Sequence, residues 1–221
     1  MNFDKKLKKE KEIIGQPINN LFYKRNIIND NYSDGVEVRR SEAIISVDTL
    51  LLRKRIIFFN KDVNSQTSAW LIKYLLYLES KNPNKPILLY LNCPGGSVYS
   101  GLAILDIMDK IKCEIQTVVT GLVASFGSMI LLNGTKGKRY ATKSSRIMIH
   151  QPLLTLSEGT TFQQTDLEIQ HKELKFLKEE LIKRIAEKTN QTFDKVLNDC
   201  ERDNFMSPEE ALKYGIIDKI I

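Results

Sequence analysis

The chain has 221 residues, 42% of them hydrophobic, so it can bury a sizeable core and is most simply one domain. Residues 1–40 carry half of the net charge of +6, nine Lys and Arg against six Asp and Glu, and no Lys/Arg stripe with stacking aromatics marks a nucleic-acid interface. No run approaches ~18 apolar residues, and Cys93, Cys113 and Cys200 lack CxxC pairing, which argues against a membrane span and a zinc or redox site and for a reducing compartment.

Residues 1–40 are polar and poorly periodic, broken by Gly15-Gln-Pro17 and by Asn29 to Gly35, and read as an extension that packs weakly by itself. The first residues, Met1 to Lys9, have no apolar h-region of a secretory signal. From about Ser46 the composition changes. Ile56 to Phe59 predicts a short apolar strand, and Trp70, Leu71, Tyr74, Leu75 and Leu78 recur at helical spacing after it. Pro83 and Pro86 close that helix, and Ile87 to Leu91 follows as a continuous apolar run, a strand expected inside a covered parallel sheet. The alternation continues with a helix through Leu102, Leu105, Met108 and Ile111, a strand over Ile115 to Thr120, a helix over Met129 to Leu132 and a strand over Arg146 to His150. Alternating strands and helices predict an α/β fold of parallel βα or ββα units.

Residues 161–189 carry a long helical pattern, with Leu167, Leu174, Leu177, Leu181 and Ile185 on one stripe and Ile169, Phe176 and Ile182 on a second. Glu168 with Lys172, Glu179 with Lys183 and Glu180 with Arg184 have the spacing of helix-stabilising pairs. Two stripes fit either a thick amphipathic surface helix or a helix buried against another subunit. Near the C-terminus, Ser207-Pro-Glu-Glu210 predicts a helix start with Ser207 as N-cap, Pro208 as first helical residue and Glu210 as reciprocal cap, and Gly215 predicts its stop.

Ser125 lies between a β-branched run and an apolar helix, where a nucleophile would meet the free N–H groups of a first helical turn. A serine needs a base, and the chain has two histidines. His150 closes a strand-like run, whereas His171 falls on the charged face of the long helix and reads as solvated. Phe126 N–H could face an oxyanion beside Ser125, and a second donor is expected from Pro94-Gly-Gly96-Ser97, where glycines let the backbone approach a ligand closely. Taken singly, Ser125 also reads as a helix cap, Gly95-Gly96 as a tight turn, His150 as a core histidine and Asp203 as an exposed charge.

Their joint occurrence in order is more specific. Asn92-Cys-Pro-Gly-Gly-Ser-Val98, Gly121-Leu-Val-Ala-Ser-Phe-Gly-Ser128, Lys136-Gly-Lys-Arg139, Arg146-Ile-Met-Ile-His-Gln-Pro152 and Glu201-Arg-Asp203 through Asp218 closely resemble the Clp protease proteolytic subunit, from about Val47 to the end. The resemblance implies the ClpP/crotonase spiral of ββα units over residues 46–221, with a protruding handle helix at about 153–189 and an N-terminal extension or propeptide over 1–45. It implies a serine endopeptidase with Ser125 as nucleophile, His150 as general base and then acid, Asp203 as orienting carboxylate, and the N–H groups of Gly96 and Phe126 as oxyanion donors. Extended substrate is expected to pair between Gly95-Gly96-Ser97-Val98 and Pro152-Leu153-Leu154. Further implied are two stacked seven-membered rings, unfolded polypeptide as substrate, an Hsp100-class ATP-dependent unfoldase as partner, and neither cofactor nor metal, nucleic acid nor membrane. The rival readings are a non-catalytic ring subunit, an acyl-CoA enzyme of the crotonase class and a membrane-bound peptidase relative. The phrases Asp48-Thr-Leu-Leu-Leu52 and Phe205-Met-Ser-Pro208 look closest to plastid-type members, ahead of bacterial cytoplasmic or mitochondrial ones. Departures from the pattern are Phe126 in place of a usual methionine, Cys93 in place of a serine, and a lengthened loop before Thr165.

Overall fold

A computed structural model describes residues 38–40, 43–155 and 161–221. The expected extension up to residue 37, and the part of the lengthened loop at 156–160, lie outside the described residues. Strands β1 (Val38–Arg40) and β2 (Ala43–Ile45) form a small antiparallel pair ahead of helix α1 (Val47–Arg53). Then follow β3 (Ile56–Phe59), α2 (Ser65–Lys81), β4 (Ile87–Cys93), α3 (Val98–Lys110), β5 (Ile115–Ala124) and α4 (Phe126–Leu132). The remainder runs β6 (Arg139–Ala141), β7 (Arg146–Ile149), α5 (Gln164–Thr189), α6 (Phe193–Asp199), β8 (Asn204–Met206), α7 (Pro208–Tyr214) and β9 (Lys219–Ile220).

The main sheet runs β3-β4-β5-β6-β9 with every neighbouring pair parallel, as the alternating pattern implies. Its decisive feature is the length of β5. Thr117 to Val119 pair with β6, while Leu122 to Ala124 pair with β7, so one strand feeds two layers of the ββα unit. β7 then pairs antiparallel with β8, a departure from the all-parallel expectation.

The core lies between this sheet and helices α2, α3 and α4. Leu71 and Leu75 of α2, Ile104 and Leu105 of α3, and Ile130 and Leu131 of α4 are fully buried with Ile87, Leu89 and Leu91 of β4. Each such side chain contributes roughly 1.5–3 kcal/mol of transfer free energy. One expectation fails here: β4 is not covered on both faces. Leu88 and Tyr90 are only half-buried, and Tyr90 stacks on exposed Phe58 with ring centroids 4.8 Å apart.

Helix α7 begins with the anticipated capping box of Ser207 and Glu210 and ends at Gly215. In α5 the anticipated ion pairs give way to other contacts. Lys183 binds Glu180, Gln164 takes Glu168, and Arg184 leaves the helix to reach Asp109 at 2.9 Å and Asn133 at 3.1 Å. The C-terminus is fixed by Arg139, whose Nε donates to Asp218 Oδ2 at 2.8 Å and whose Nη2 donates to Oδ1 at 2.6 Å.

Candidate active site

Strand register explains how residues 25 and 53 positions apart meet. Ala124 of β5 stands opposite Met148 of β7, so the residues that leave the two strand ends, Ser125 and His150, emerge side by side. Ile149 stands opposite Asn204 across the β7/β8 ladder, which brings Asp203 beside His150. The carboxylate of Asp203 can only accept, so His150 Nδ1–H donates to its Oδ1 at 2.9 Å. That leaves His150 Nε2 as the acceptor for the Ser125 hydroxyl, 2.8 Å away. The imidazole is 15% exposed and the aspartate 61%, so the pair is drier at the serine end.

Ser125 occupies a strained turn, φ 54° and ψ −124°, as the residue just before α4. Such a conformation costs of order 1–3 kcal/mol and persists only when its surroundings over-determine it. Here Ser125 N–H donates to the Met148 carbonyl at 3.0 Å. The buried hydroxyl of Ser128 donates to that carbonyl at 2.7 Å and also lies 3.2 Å from the Val123 carbonyl. Gly127 lets the first turn of α4 press onto β4, since a Cβ there would lie 2.3 Å from the Cys93 carbonyl oxygen.

Gly95 lies against the serine, a Cβ on it falling 2.7 Å from the Ser125 Cβ, whereas Gly96 lies against the backbone of Val63. Val63 N–H donates to Gly95 O and Ser97 N–H donates to Val63 O, each at 2.7 Å, a parallel bridge that uses the residues flanking Gly96 and leaves out its own N–H. Phe126 N–H is in the first turn of α4 and has no partner within the helix. The Phe126 ring turns inward and packs against Gly101 of α3.

An open cleft adjoins the serine, lined by Ser125, His150, Val98 and Pro152 together with Phe126, Met129, Ile149, Gln151, Leu181, Ile182 and Ile185. Val98 and Pro152 thus border it from opposite chain segments. Ser97 instead caps α3, and Leu153 and Leu154 stand exposed beyond the cleft lining. The α5 residues Leu181, Ile182 and Ile185 were legible as apolar stripes, but nothing in their spacing showed that they floor this cleft. His171 is exposed, as its position on the charged face implied. Cys93, which directly precedes Pro94-Gly95-Gly96, is buried, and burial pushes its thiol up to about 11. No group of three or more His, Cys, Asp or Glu side chains among the described residues is placed to hold a metal ion.

Comparison with known proteins places the site in context. A family model described as Clp protease matches residues 39–221. The ATP-dependent Clp protease proteolytic subunit 2 of Synechococcus sp. (strain CC9605) is 47% identical over 185 residues, 84% of this chain and 92% of that protein. The ATP-dependent Clp protease proteolytic subunit 1 of Prochlorococcus marinus (strain MIT 9312) is 45% identical over 181 residues, 82% of this chain and 91% of that protein.

Proposed function

Since this chain belongs to the Clp protease family, we propose that it is the proteolytic subunit of an ATP-dependent Clp protease, a serine endopeptidase that cuts unfolded polypeptides inside a ring assembly. The reading rests above all on the contact of 2.8 Å between His150 Nε2 and Ser125 Oγ, with Asp203 on the opposite ring nitrogen. This alignment gives no support to a non-catalytic scaffold role.

Ser125 Oγ attacks the scissile carbonyl as His150 Nε2 takes its proton, and Asp203 stabilises the imidazolium and holds its tautomer. The oxyanion forms between the N–H groups of Gly96 and Phe126, and losing either donor lowers the rate by ~10²- to 10³-fold. His150 then protonates the leaving amine, and water repeats the sequence on the acyl-enzyme. Extended substrate passes between Gly95-Gly96-Ser97-Val98 and Pro152-Leu153-Leu154, and the apolar cleft takes the side chain on the acyl side of the bond.

Leu167, Ile169 and Phe176 stand exposed on the N-terminal half of α5, where a lone chain would gain nothing from them. They are the surface through which two rings stack. The chain carries no Gly-x-x-x-x-Gly-Lys-Ser/Thr loop, so an Hsp100-class ATPase must unfold and deliver the substrate. Cyanobacterial relatives fit a plastid-type organelle or a bacterial cytoplasm, and a tagged full-length precursor found only in eukaryotic cytosol would exclude the former.

The decisive experiment is fluorophosphonate labelling together with turnover of a short fluorogenic peptide. Wild type should do both and Ser125→Ala neither; equal labelling of the two proteins would refute the assignment.

A further inference from the structure

The carboxylate that orients His150 is itself weakly held. Asp203 is 61% exposed, and among the described residues its side chain has one hydrogen-bond partner, the imidazole it is meant to position. A carboxylate on a short exposed turn can rotate into water, so its backbone must be fixed by something else. On one side the β7/β8 ladder does this, but it ends at the Ile149 and Asn204 pair. Past that point the chain turns away at Pro152 and no further ladder bond can form.

Gln151 spans the gap. Its backbone N–H donates to the Cys200 carbonyl at 2.6 Å, and its side-chain Nε2 donates to the Glu201 carbonyl at 2.8 Å. The residue that follows the base therefore grips the two peptide groups that flank Glu201, two residues ahead of Asp203. His150 and Asp203 lie between two clamps, the ladder pair on one side and the glutamine on the other. A glutamine is well suited to this task, because one residue reaches two successive carbonyls only if it has a side-chain donor two carbons out from Cβ.

We propose that Gln151 is a positioning residue of the peptidase, holding the Glu201 to Asp203 turn so that Asp203 meets His150. The inference rests on the catalytic reading of Ser125, His150 and Asp203. Gln151→Met keeps the backbone N–H and the side-chain length and removes only the donor to Glu201. Small displacements of catalytic groups cost up to about 10²-fold in rate. The expected result is therefore a fall in kcat of roughly 10- to 10²-fold, with unchanged assembly size by light scattering.

A loss of packing alone would also slow the enzyme, so the test is a double-mutant cycle with Asp203→Asn. If Gln151 acts through Asp203, Gln151→Met adds little to Asp203→Asn. Wild-type kcat in Gln151→Met overturns the proposal, and so does a loss of equal size in both backgrounds. Should Gln151→Met fail to assemble, Gln151→Glu, which keeps the shape but donates no hydrogen bond at neutral pH, is read in the same cycle. Turnover by Ser125→Ala would instead sink the catalytic reading beneath it, whatever Gln151→Met did.

Discussion

Gly95 and Ser125 are so close that a methyl group on the glycine would sit 2.7 Å from the serine Cβ and 2.8 Å from the Ala124 carbonyl oxygen. Real Cβ atoms do not tolerate such contacts, and φ of +99° at Gly95 adds strain for any side chain. Gly95→Ala must therefore push the 95–96 turn away from the nucleophile and with it the Gly96 N–H. Peptide turnover should fall by at least about 10²-fold, the cost of one lost oxyanion donor. Turnover within a few-fold of wild type would show that the turn takes no part in the reaction.

Ile169 and Phe176 stand exposed on α5, at 64% and 56%. A charge at each should cost the folded chain little and the stacked assembly a great deal. Ile169→Glu with Phe176→Glu is expected to elute as a species of about half the wild-type mass, with the melting transition of the isolated subunit preserved. An unchanged mass would move the ring contact elsewhere.

Much of the architecture could be read from strands of four or more residues built on apolar runs. Ile56 to Phe59, Ile87 to Leu91, Ile115 to Thr120 and Arg146 to His150 all correspond to strands, and the intervening apolar repeats correspond to α2, α3 and α4. The three-residue strands β6 and β8 and the two-residue β9 were not anticipated, for they are too short to show alternation and contain Arg139, Asn204 and Lys219. They exist because distant partners accept them, and a partner's register leaves no mark on local composition. The same holds for the site. Position alone nominated Ser125 and His150, but Asp203 looked like a surface charge and was chosen by resemblance, since its approach depends on the short strand β8 pairing with β7. Arg184 shows the limit of spacing rules: Glu180 lies one turn away, yet the side chain goes to Asp109 on α3 and to Asn133 just after α4, which are hydrogen-bonded to each other.

Cys93 and Cys200 provide a check on burial. Burial raises their thiols to about 11 and about 12, so at pH 8 almost no thiolate exists at either sulfur. Neither should react with iodoacetamide in the native protein over hours, and both should react promptly in guanidinium chloride. Fast native alkylation of Cys93 would mean that the Pro94-Gly95-Gly96 turn opens.

Arg139 and Asp218 set an acid limit on stability. Burial would raise the Asp218 carboxyl, but hydrogen bonds from the Arg139 side chain and backbone N–H outweigh it and hold the group below its ordinary value. A depressed folded-state pKa means that the stabilisation is complete above the unfolded value of about 3.9 and is lost as pH falls through the lower folded value. Arg139 is buried, with its side chain 4% exposed, so Asp218→Asn strands a charge at a cost of about 3–5 kcal/mol at pH 7. The gap in melting temperature between wild type and Asp218→Asn should be wide at pH 7 and narrow progressively as pH falls below the unfolded value of about 3.9. A gap that does not narrow at all below that value would show that packing, not charge, is what the substitution removes.

The cleft beside Ser125 predicts what the enzyme cuts after. Its apolar walls are Val98, Phe126, Met129, Ile149, Leu181, Ile182 and Ile185, and none of its lining residues carries a carboxylate or ammonium, so a charged side chain entering it would lose water without gaining an ion-pair partner. An aliphatic or aromatic side chain buries apolar area there, at roughly 25 cal/mol per Å². Each methylene the cleft recognises is worth about 1–3 kcal/mol, or 10- to 200-fold in kcat/KM, so leucyl substrates should exceed alanyl ones by at least the lower figure. Val98 is the half-buried wall at the rim, on the first turn of α3, and can be enlarged without overpacking the core. Val98→Trp should therefore reduce kcat/KM for a leucyl peptide about 10-fold or more and leave an alanyl peptide nearly unaffected, because only the larger side chain needs the lost volume. Equal losses on both peptides would mean that tryptophan obstructs the substrate strand and not the pocket, and faster cleavage of the leucyl peptide would show that its side chain binds outside this cleft.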